Sequence, residues 1–186
     1  YQDSVIFGHA KDGNIHFMLN EQFRDAKQLV RYRDFTEEMV QLILEADGSL
    51  KAEHGTGRIM APFVRRQFGD ELFEVMREIK RLIDPKGFLN PGVVLAEEDT
   101  DYATDLKVAE TVEEEVDRCV ECGYCEPVCP SKDLTLTPRQ RIVLRREIAA
   151  AEANGDTKLA ERLRQEYEYY GVDTCAVDGM CVTRCP

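Results

Sequence analysis

The chain has 186 residues and a formal net charge of −12, with 36 acidic against 24 basic side chains. This length allows one or two small domains, and the acidic surplus argues against nucleic-acid binding through a basic face. No run of about 20 apolar residues occurs, so no membrane-spanning helix is expected. Because the chain opens at Tyr1 within a strand pattern and stops at Pro186 directly after a cysteine motif, we interpret it as a piece of a longer protein.

The first half of the chain predicts a hairpin followed by helices. Residues 1–20 alternate as two strands around a tight Asp-Gly-Asn turn at 12–14. One helix is predicted from Thr36, and a longer one from about Asp70. The apolar face of the longer helix comprises Leu72, Phe73, Met76, Ile79, Leu82 and Ile83. Together these elements predict an α+β domain over residues 1–96.

The second half predicts an all-helical domain behind a polar linker. Residues 97–107 are acidic and polar without a clear period, which indicates a linker. Residues 108–186 carry two runs of cysteines with helices between them. Thr137 and Asp156 are residue types that commonly cap helix N-termini, so each is predicted to start a helix. The two consecutive helices are predicted to form a helical hairpin.

Cysteine spacing is the most specific pattern in the chain. The seven cysteines are Cys119, Cys122, Cys125 and Cys129 in the first run and Cys175, Cys181 and Cys185 in the second. The first run, followed by Pro130, matches the C-x2-C-x2-C-x3-C-P pattern of bacterial two-cluster ferredoxins. The second run keeps the same period, but Asp178 stands where its second cysteine would be.

Crossing of the fourth ligands between the runs predicts two iron–sulfur clusters. The first cluster would be held by Cys119, Cys122, Cys125 and Cys185. The second would be held by Cys129, Cys175 and Cys181, with Asp178 or no side chain at the fourth iron. Because a carboxylate is a poorer ligand than a thiolate in such clusters, we expect the second cluster to be a three-iron or a labile four-iron cluster.

Disulfides and structural zinc are the competing interpretations of these cysteines. The odd number of cysteines and their crowded spacing argue against a disulfide framework. Zinc would take four ligands and leave the second run unexplained. The 45 residues between Cys129 and Cys175 make residues 108–186 similar to the helical ferredoxin domain of succinate dehydrogenase-type iron–sulfur subunits.

The three histidines, His9, His16 and His54, lie in motifs rich in glycine and acidic or amide residues. In the predicted hairpin, His9 and His16 flank the turn on adjacent strands, so their imidazoles can converge on one ion. Glu53 would add a carboxylate. Two imidazoles and one carboxylate suit a divalent metal with open coordination positions. A purely structural role for the histidines is the alternative.

These motifs resemble the C-terminal part of the FAD-linked oxidase family, over residues 1 to about 96. The family includes D-lactate dehydrogenase, D-2-hydroxyglutarate dehydrogenase and the glycolate oxidase flavin subunit. The matching segments are Gly8-His9, Asp12-Gly13-Asn14, His16, Glu53-His54-Gly55, Asp84-Pro85 and Asn90-Pro91-Gly92. Lys11 departs from the pattern, because many relatives have glycine there.

The resemblance implies roles for individual residues of this substrate or cap domain. His9, His16 and Glu53 would bind a divalent metal such as zinc or manganese, and His54 would accept the proton of the substrate hydroxyl. Asn14 would reach substrate or flavin, and Asn90 the flavin edge. Candidate partners for the substrate carboxylate are Arg58, Arg65 and Arg66, for which an exposed charged face is the alternative.

The two resemblances together imply part of a flavin- and iron–sulfur-dependent D-2-hydroxyacid dehydrogenase, with D-lactate preferred and glycolate or D-2-hydroxyglutarate as alternatives. FAD would be held mainly by an N-terminal domain outside this chain, so the chain alone is expected to be inactive. Electrons would pass through the clusters to a quinone or protein acceptor, in the cytoplasm or at the cytoplasmic face of the inner membrane through a partner. Competing classes are a non-catalytic electron-transfer subunit and a zinc structural protein.

Overall fold

A computed structural model of the chain describes Tyr1, residues 4–96 and residues 101–186. These residues are mainly helical with one two-stranded sheet, the coarse fold class that the sequence predicts. Within them, no helix is both long and apolar enough to cross a membrane. They form two compact units: Tyr1–Gln22 with Val108–Pro186, called here the cysteine unit, and Phe23–Lys107, called the central unit.

The predicted hairpin is present at the start of the cysteine unit. Strands β1 (Val5–His9) and β2 (Asn14–Met18) pair antiparallel. The turn between them ends at Gly13, whose φ of 68° lies in the left-handed region that glycine adopts without strain. A side chain at Gly8 would collide with the carbonyl oxygen of Asn14. Glycine at position 8 therefore permits the close approach of the two strands.

The first helix of the central unit, α1 (Ala26–Glu45), begins earlier than predicted. The expected start at Thr36 is wrong because the helix is capped locally at Asp25, whose carboxylate accepts the backbone N–H of Gln28 at 2.9 Å. The first turns of α1 contain charged residues, so they do not show the apolar spacing that predicts the rest of the helix. Its buried face consists of Tyr32, Thr36 and Val40.

The second helix, α2 (Val64–Ile83), is interrupted at Gly69, whose φ of 80° and ψ of 168° are not helical. The helix that the sequence places from about Asp70 is the part after this break. Of its predicted apolar face only Phe73 is buried. Most of the rest is at least half exposed, with exposed fractions of 52% for Leu72, 52% for Ile79, 74% for Leu82 and 70% for Ile83.

Aromatic rings form part of the core of the central unit. The ring of Tyr102 lies 6.0 Å from that of Tyr32 and 5.1 Å from that of Phe63, measured between centroids. Tyr102 belongs to the segment predicted as a linker, of which residues 97–100 lie outside the described part of the chain. The domain boundaries at 96 and 108 remain predictions.

Asp84 ends α2 and organises the turn that follows. Its carboxylate accepts the backbone N–H groups of Phe88 at 2.9 Å and Leu89 at 2.8 Å, and it pairs with Lys80 at 2.6 Å. The hydrogen bond from Lys80, followed by those from the backbone, lowers the pKa of Asp84 to about 2. The turn leads to Asn90, an exposed residue with a left-handed φ of 44°.

We expect Asp84→Asn to loosen this turn at neutral pH and to matter less in acid. The folded-state pKa lies below the unfolded value, so the ionised carboxylate stabilises the turn above about pH 4, and this contribution is lost as the pH falls toward 2. Hydrogen exchange of the Phe88 and Leu89 amides in the full-length protein should be roughly tenfold faster in the variant at pH 7. Glu78→Gln, which removes an exposed carboxylate paired with Arg81, is the control. A difference that is constant from pH 7 to pH 3 would contradict the expectation.

The cysteine unit contains three α-helices: α3 (Glu114–Asp117), α4 (Pro138–Ala153) and α5 (Thr157–Tyr167). The predicted starts of α4 and α5 are confirmed. Thr137 and Gln140 cap each other reciprocally, and the Asp156 carboxylate accepts the N–H of Leu159 at 3.0 Å. A π-helical turn, Glu168–Asp173, continues α5 toward the second cysteine run.

Candidate functional site

The hairpin places the two predicted imidazole ligands together. Phe7 pairs with His16, and His9 pairs with Asn14. Because side chains alternate along a strand and antiparallel partners share a face, these four lie on one face of the sheet. The rings of His9 and His16 are 5.4 Å apart between centroids and nearly perpendicular, and the Asn14 Oδ1 atom accepts the His9 backbone N–H at 2.8 Å.

An aromatic contact joins this face to the first cysteine run. The ring of Phe7 stacks on that of His16 at 5.1 Å and meets the ring of Tyr124 edge-on at 5.6 Å. Tyr124 directly precedes Cys125. Sequence reasoning missed this contact, because strand alternation indicates the face of Phe7 but nothing local indicates the distant residue that packs on it.

Glu53 and His54 lie in the loop between α1 and α2 of the central unit. The Nε2 atom of His54 is 3.3 Å from Oε1 of Glu53, and the His54 side chain is 65% exposed. Gly55 and Gly57 follow with positive φ values of 72° and 60°, so the loop needs glycine at both positions. A joint metal site of His9, His16 and Glu53 remains a prediction.

The arginines predicted to bind a substrate carboxylate all have partners within the central unit. The guanidinium of Arg58 donates to the carbonyl of Thr104 at 2.9 Å and lies 3.6 Å from the Asp105 carboxylate. Arg65 pairs with Asp70 at 2.5 Å and with Glu74 at 3.9 Å, and Arg66 pairs with Glu37 at 2.6 Å. A role for any of them in substrate binding remains a prediction.

The Cys185 thiol interacts electrostatically with thiols of both runs: Cys119 and Cys122 of the first and Cys181 of the second. Burial raises the pKa of Cys185 above its usual value, and the neighbouring thiols of Cys119 and Cys122 raise it further. Burial also raises the pKa of Cys125, and a hydrogen bond from the backbone N–H of Arg139 partly offsets this rise. Electrostatically coupled thiols from both runs fit a cluster site, because bound iron compensates the charges of the thiolates.

A buried arginine on α4 holds the first cysteine loop. The guanidinium of Arg146 donates to the carbonyls of Cys119 at 2.8 Å and Val116 at 3.1 Å, and it pairs with Glu121 at 2.8 Å. The backbone N–H of Glu121 lies 3.4 Å from the Cys119 sulfur. The sequence did not point to Arg146, since an arginine in a helix is ordinarily exposed.

Hydrogen bonds connect the segment after Cys129 to Thr174, next to the second cysteine run. Ser131 donates to the carbonyl of Thr174 at 2.5 Å, and Thr135 donates to the Thr174 hydroxyl at 2.7 Å. Thr174 directly precedes Cys175. The guanidinium of Arg141 lies between the two, 3.9 Å from the Cys129 sulfur and 3.4 Å from the Thr174 oxygen. This arrangement fits a second cluster that takes Cys129 from the first run.

Asp178 occupies an exposed turn of the second run. Its Oδ1 atom accepts the backbone N–H of Met180 at 3.2 Å, so the carboxylate is already used locally. Cys175 is exposed and Cys181 is partly exposed. Three thiols and one carboxylate fit an iron–sulfur cluster with a weak or missing fourth ligand.

Two runs of closely spaced cysteines are characteristic of an iron–sulfur protein. The chain belongs to the family described as FAD linked oxidases, C-terminal domain, which matches residues 2–94. Residues 115–186 match the 4Fe-4S dicluster domain. Both resemblances predicted from the sequence are confirmed, and the matches support FAD and iron–sulfur clusters as cofactors.

Three relatives illustrate the similarity. A probable mitochondrial D-lactate dehydrogenase of Danio rerio is 36% identical over 90 residues, which are 48% of this chain and 18% of that protein. The glycolate oxidase subunit GlcD of Bacillus subtilis is 32% identical over 92 residues, covering 50% of this chain and 20% of the subunit. A D-2-hydroxyglutarate dehydrogenase of Pantoea ananatis is 29% identical over 183 residues, covering 84% of this chain and 18% of the enzyme.

The chain thus spans about a fifth of the length of the curated relatives that it matches. No solved structure matches the chain.

Proposed function

We propose that the full-length protein is a flavin- and iron–sulfur-dependent D-2-hydroxyacid dehydrogenase, with D-lactate as the first candidate substrate. The observation that carries this proposal is the presence of an FAD-linked oxidase domain and a 4Fe-4S dicluster domain in one chain. Residues 1–96 would form an α+β substrate or cap domain, 97–107 a linker, and 108–186 an all-α helical ferredoxin-like domain.

His9, His16 and Glu53 would hold a divalent metal such as zinc or manganese, whose charge lowers the pKa of a bound substrate hydroxyl. The 5.4 Å separation of the two histidine rings supports this ligand pair. The imidazole of His54 would accept the hydroxyl proton.

Three further residues would orient the reactants. Asn14 would contact substrate or flavin, Arg58 would bind the substrate carboxylate, and Asn90 would lie at the flavin edge. When bound, FAD supplies the hydride acceptor and the clusters supply one-electron carriers. The remaining protein would provide most of the flavin site.

D-2-hydroxyglutarate is the second candidate substrate. The observation in its favour is that the similarity to D-2-hydroxyglutarate dehydrogenases extends over more of this chain. The D-2-hydroxyglutarate dehydrogenases of Pantoea ananatis and Escherichia coli align with 84% and 76% of this chain, so the similarity reaches into the cysteine region. The D-lactate dehydrogenase of Danio rerio and the glycolate oxidase subunit align with about half of it. Glycolate is the third candidate.

The electron acceptor would be a quinone or a protein, and the enzyme would work in the cytoplasm or at the cytoplasmic face of the inner membrane through a partner. The net charge of −12 speaks against nucleic acid as a partner. A non-catalytic electron-transfer subunit is the competing class, and it has no need of the histidine pair.

A substrate screen of the anaerobically purified full-length protein tests the proposal. D-lactate, glycolate and D-2-hydroxyglutarate would each be offered with an artificial dye as acceptor, and L-lactate would serve as the stereochemical control. We expect turnover with one of the three candidates and none with L-lactate. Protein that contains FAD and iron but reduces the dye with none of the three acids would instead be an electron-transfer subunit.

A further inference from the structure

Helix α4 buries two arginines, and only one of them is neutralised by a carboxylate. Arg141 and Arg146 are each 8% exposed. The guanidinium of Arg146 pairs with the Glu121 carboxylate at 2.8 Å. Among the described residues, no carboxylate pairs with Arg141. The two side chains therefore have similar burial but different charge compensation.

Arg141 contacts Cys129 of the first run and Thr174, which directly precedes Cys175 of the second run. One of its terminal nitrogens lies 3.9 Å from the Cys129 sulfur, and the other donates to the Thr174 carbonyl at 3.4 Å. Its Nε–H is buried without a hydrogen-bond acceptor in the described part of the chain. One sulfur at 3.9 Å and one carbonyl do not compensate a full positive charge.

A guanidinium stays protonated under all conditions in which proteins fold, and burying an unpaired charge is strongly unfavourable. An anion beside Arg141 would compensate the buried positive charge. A cluster held by cysteine thiolates carries a net negative charge at this position. We propose that Arg141 is the counter-ion of the second cluster and that it raises the reduction potential of that cluster.

The charge of Arg141 would act on a one-electron reduction. One-electron reduction of a bound second cluster would add one negative charge; the electron would come from the substrate through FAD and would pass on to the quinone or protein acceptor. No proton and no bond are exchanged at Arg141. A fixed positive charge beside the cluster stabilises its reduced state more than its oxidised state. Arg141 would thereby favour the arrival of an electron at the second cluster.

This inference rests on the dicluster assignment of the proposed function and is independent of the hydroxy acid. The test is a redox titration of the anaerobically purified full-length protein, followed by electron paramagnetic resonance. Three variants are compared with the wild type: Arg141→Gln, Arg141→Lys and Arg162→Gln. A Cys181→Ser variant identifies the signal of the second cluster by its loss.

Arg141→Gln is expected to lower the ratio of reduced to oxidised second cluster by roughly tenfold at fixed potential, which is about 59 mV for a one-electron couple. The first cluster should be unchanged, and Arg141→Lys should recover most of the shift. Arg162→Gln also removes one positive charge, but Arg162 is 75% exposed and paired with Glu166. Water screens this charge, so no shift is expected.

An unchanged second-cluster potential in Arg141→Gln would overturn the proposal. Loss of the second cluster in Arg141→Gln but not in Arg141→Lys would support it, because only the charge is restored. Equal loss in both variants would overturn it in favour of a packing role. Iron and sulfide analysis that finds one cluster in the wild type would overturn it together with the dicluster assignment, whereas failure of the substrate screen would not affect it.

Discussion

Replacing Cys185 with alanine is expected to remove the first cluster and to leave the second one in place, although Cys185 belongs to the second cysteine run. The thiol of Cys185 lies close enough to those of Cys119 and Cys122 for them to raise its pKa. Loss of a thiolate ligand exposes an iron to solvent and oxidation. Iron content in anaerobically purified full-length protein should fall by about four atoms per chain.

Cys175→Ala is the matched control, because Cys175 also belongs to the second run but is tied through Thr174 to the loop after Cys129. That variant should lose the other paramagnetic signal. Electron transfer to an acceptor that is reduced only through the clusters should stop in Cys185→Ala, while flavin reduction by substrate continues. Depletion of the same signal in both variants would refute crossed ligation.

His54→Ala is expected to reduce turnover of the full-length enzyme by roughly 10²- to 10⁴-fold without loss of iron or metal. The imidazole is 65% exposed and lies in a glycine-flanked loop, so its removal leaves no cavity in a core. Steady-state turnover and metal analysis of the same preparation would be compared.

Two further variants separate the roles in this region. His9→Ala should lose the divalent metal and turnover together, since His9 is a predicted ligand rather than the proton acceptor. Lys51→Ala changes an exposed residue of the same loop as His54 and should leave turnover unchanged. Wild-type turnover in both His9→Ala and His54→Ala would exclude the catalytic assignment and favour an electron-transfer subunit.

Local chemistry made several elements predictable. The Thr137–Gln140 pair and Asp156 cap their helices through side chains within three residues of the backbone groups that they satisfy. The hairpin followed in the same way from strand alternation and a glycine at the turn. The start of α1 was missed because its first turns are charged and its cap at Asp25 lies outside the apolar period.

The cysteine and histidine motifs by themselves identified an FAD-linked oxidase segment joined to a dicluster domain, since ligand type and spacing along the chain are properties of the sequence. Only the tertiary structure placed Tyr124 against Phe7 and buried Arg141 beside Cys129. These contacts join residues far apart in the chain, and no local period records them. The sequence therefore determined which ligands are present, whereas the fold decided which charges and rings surround them.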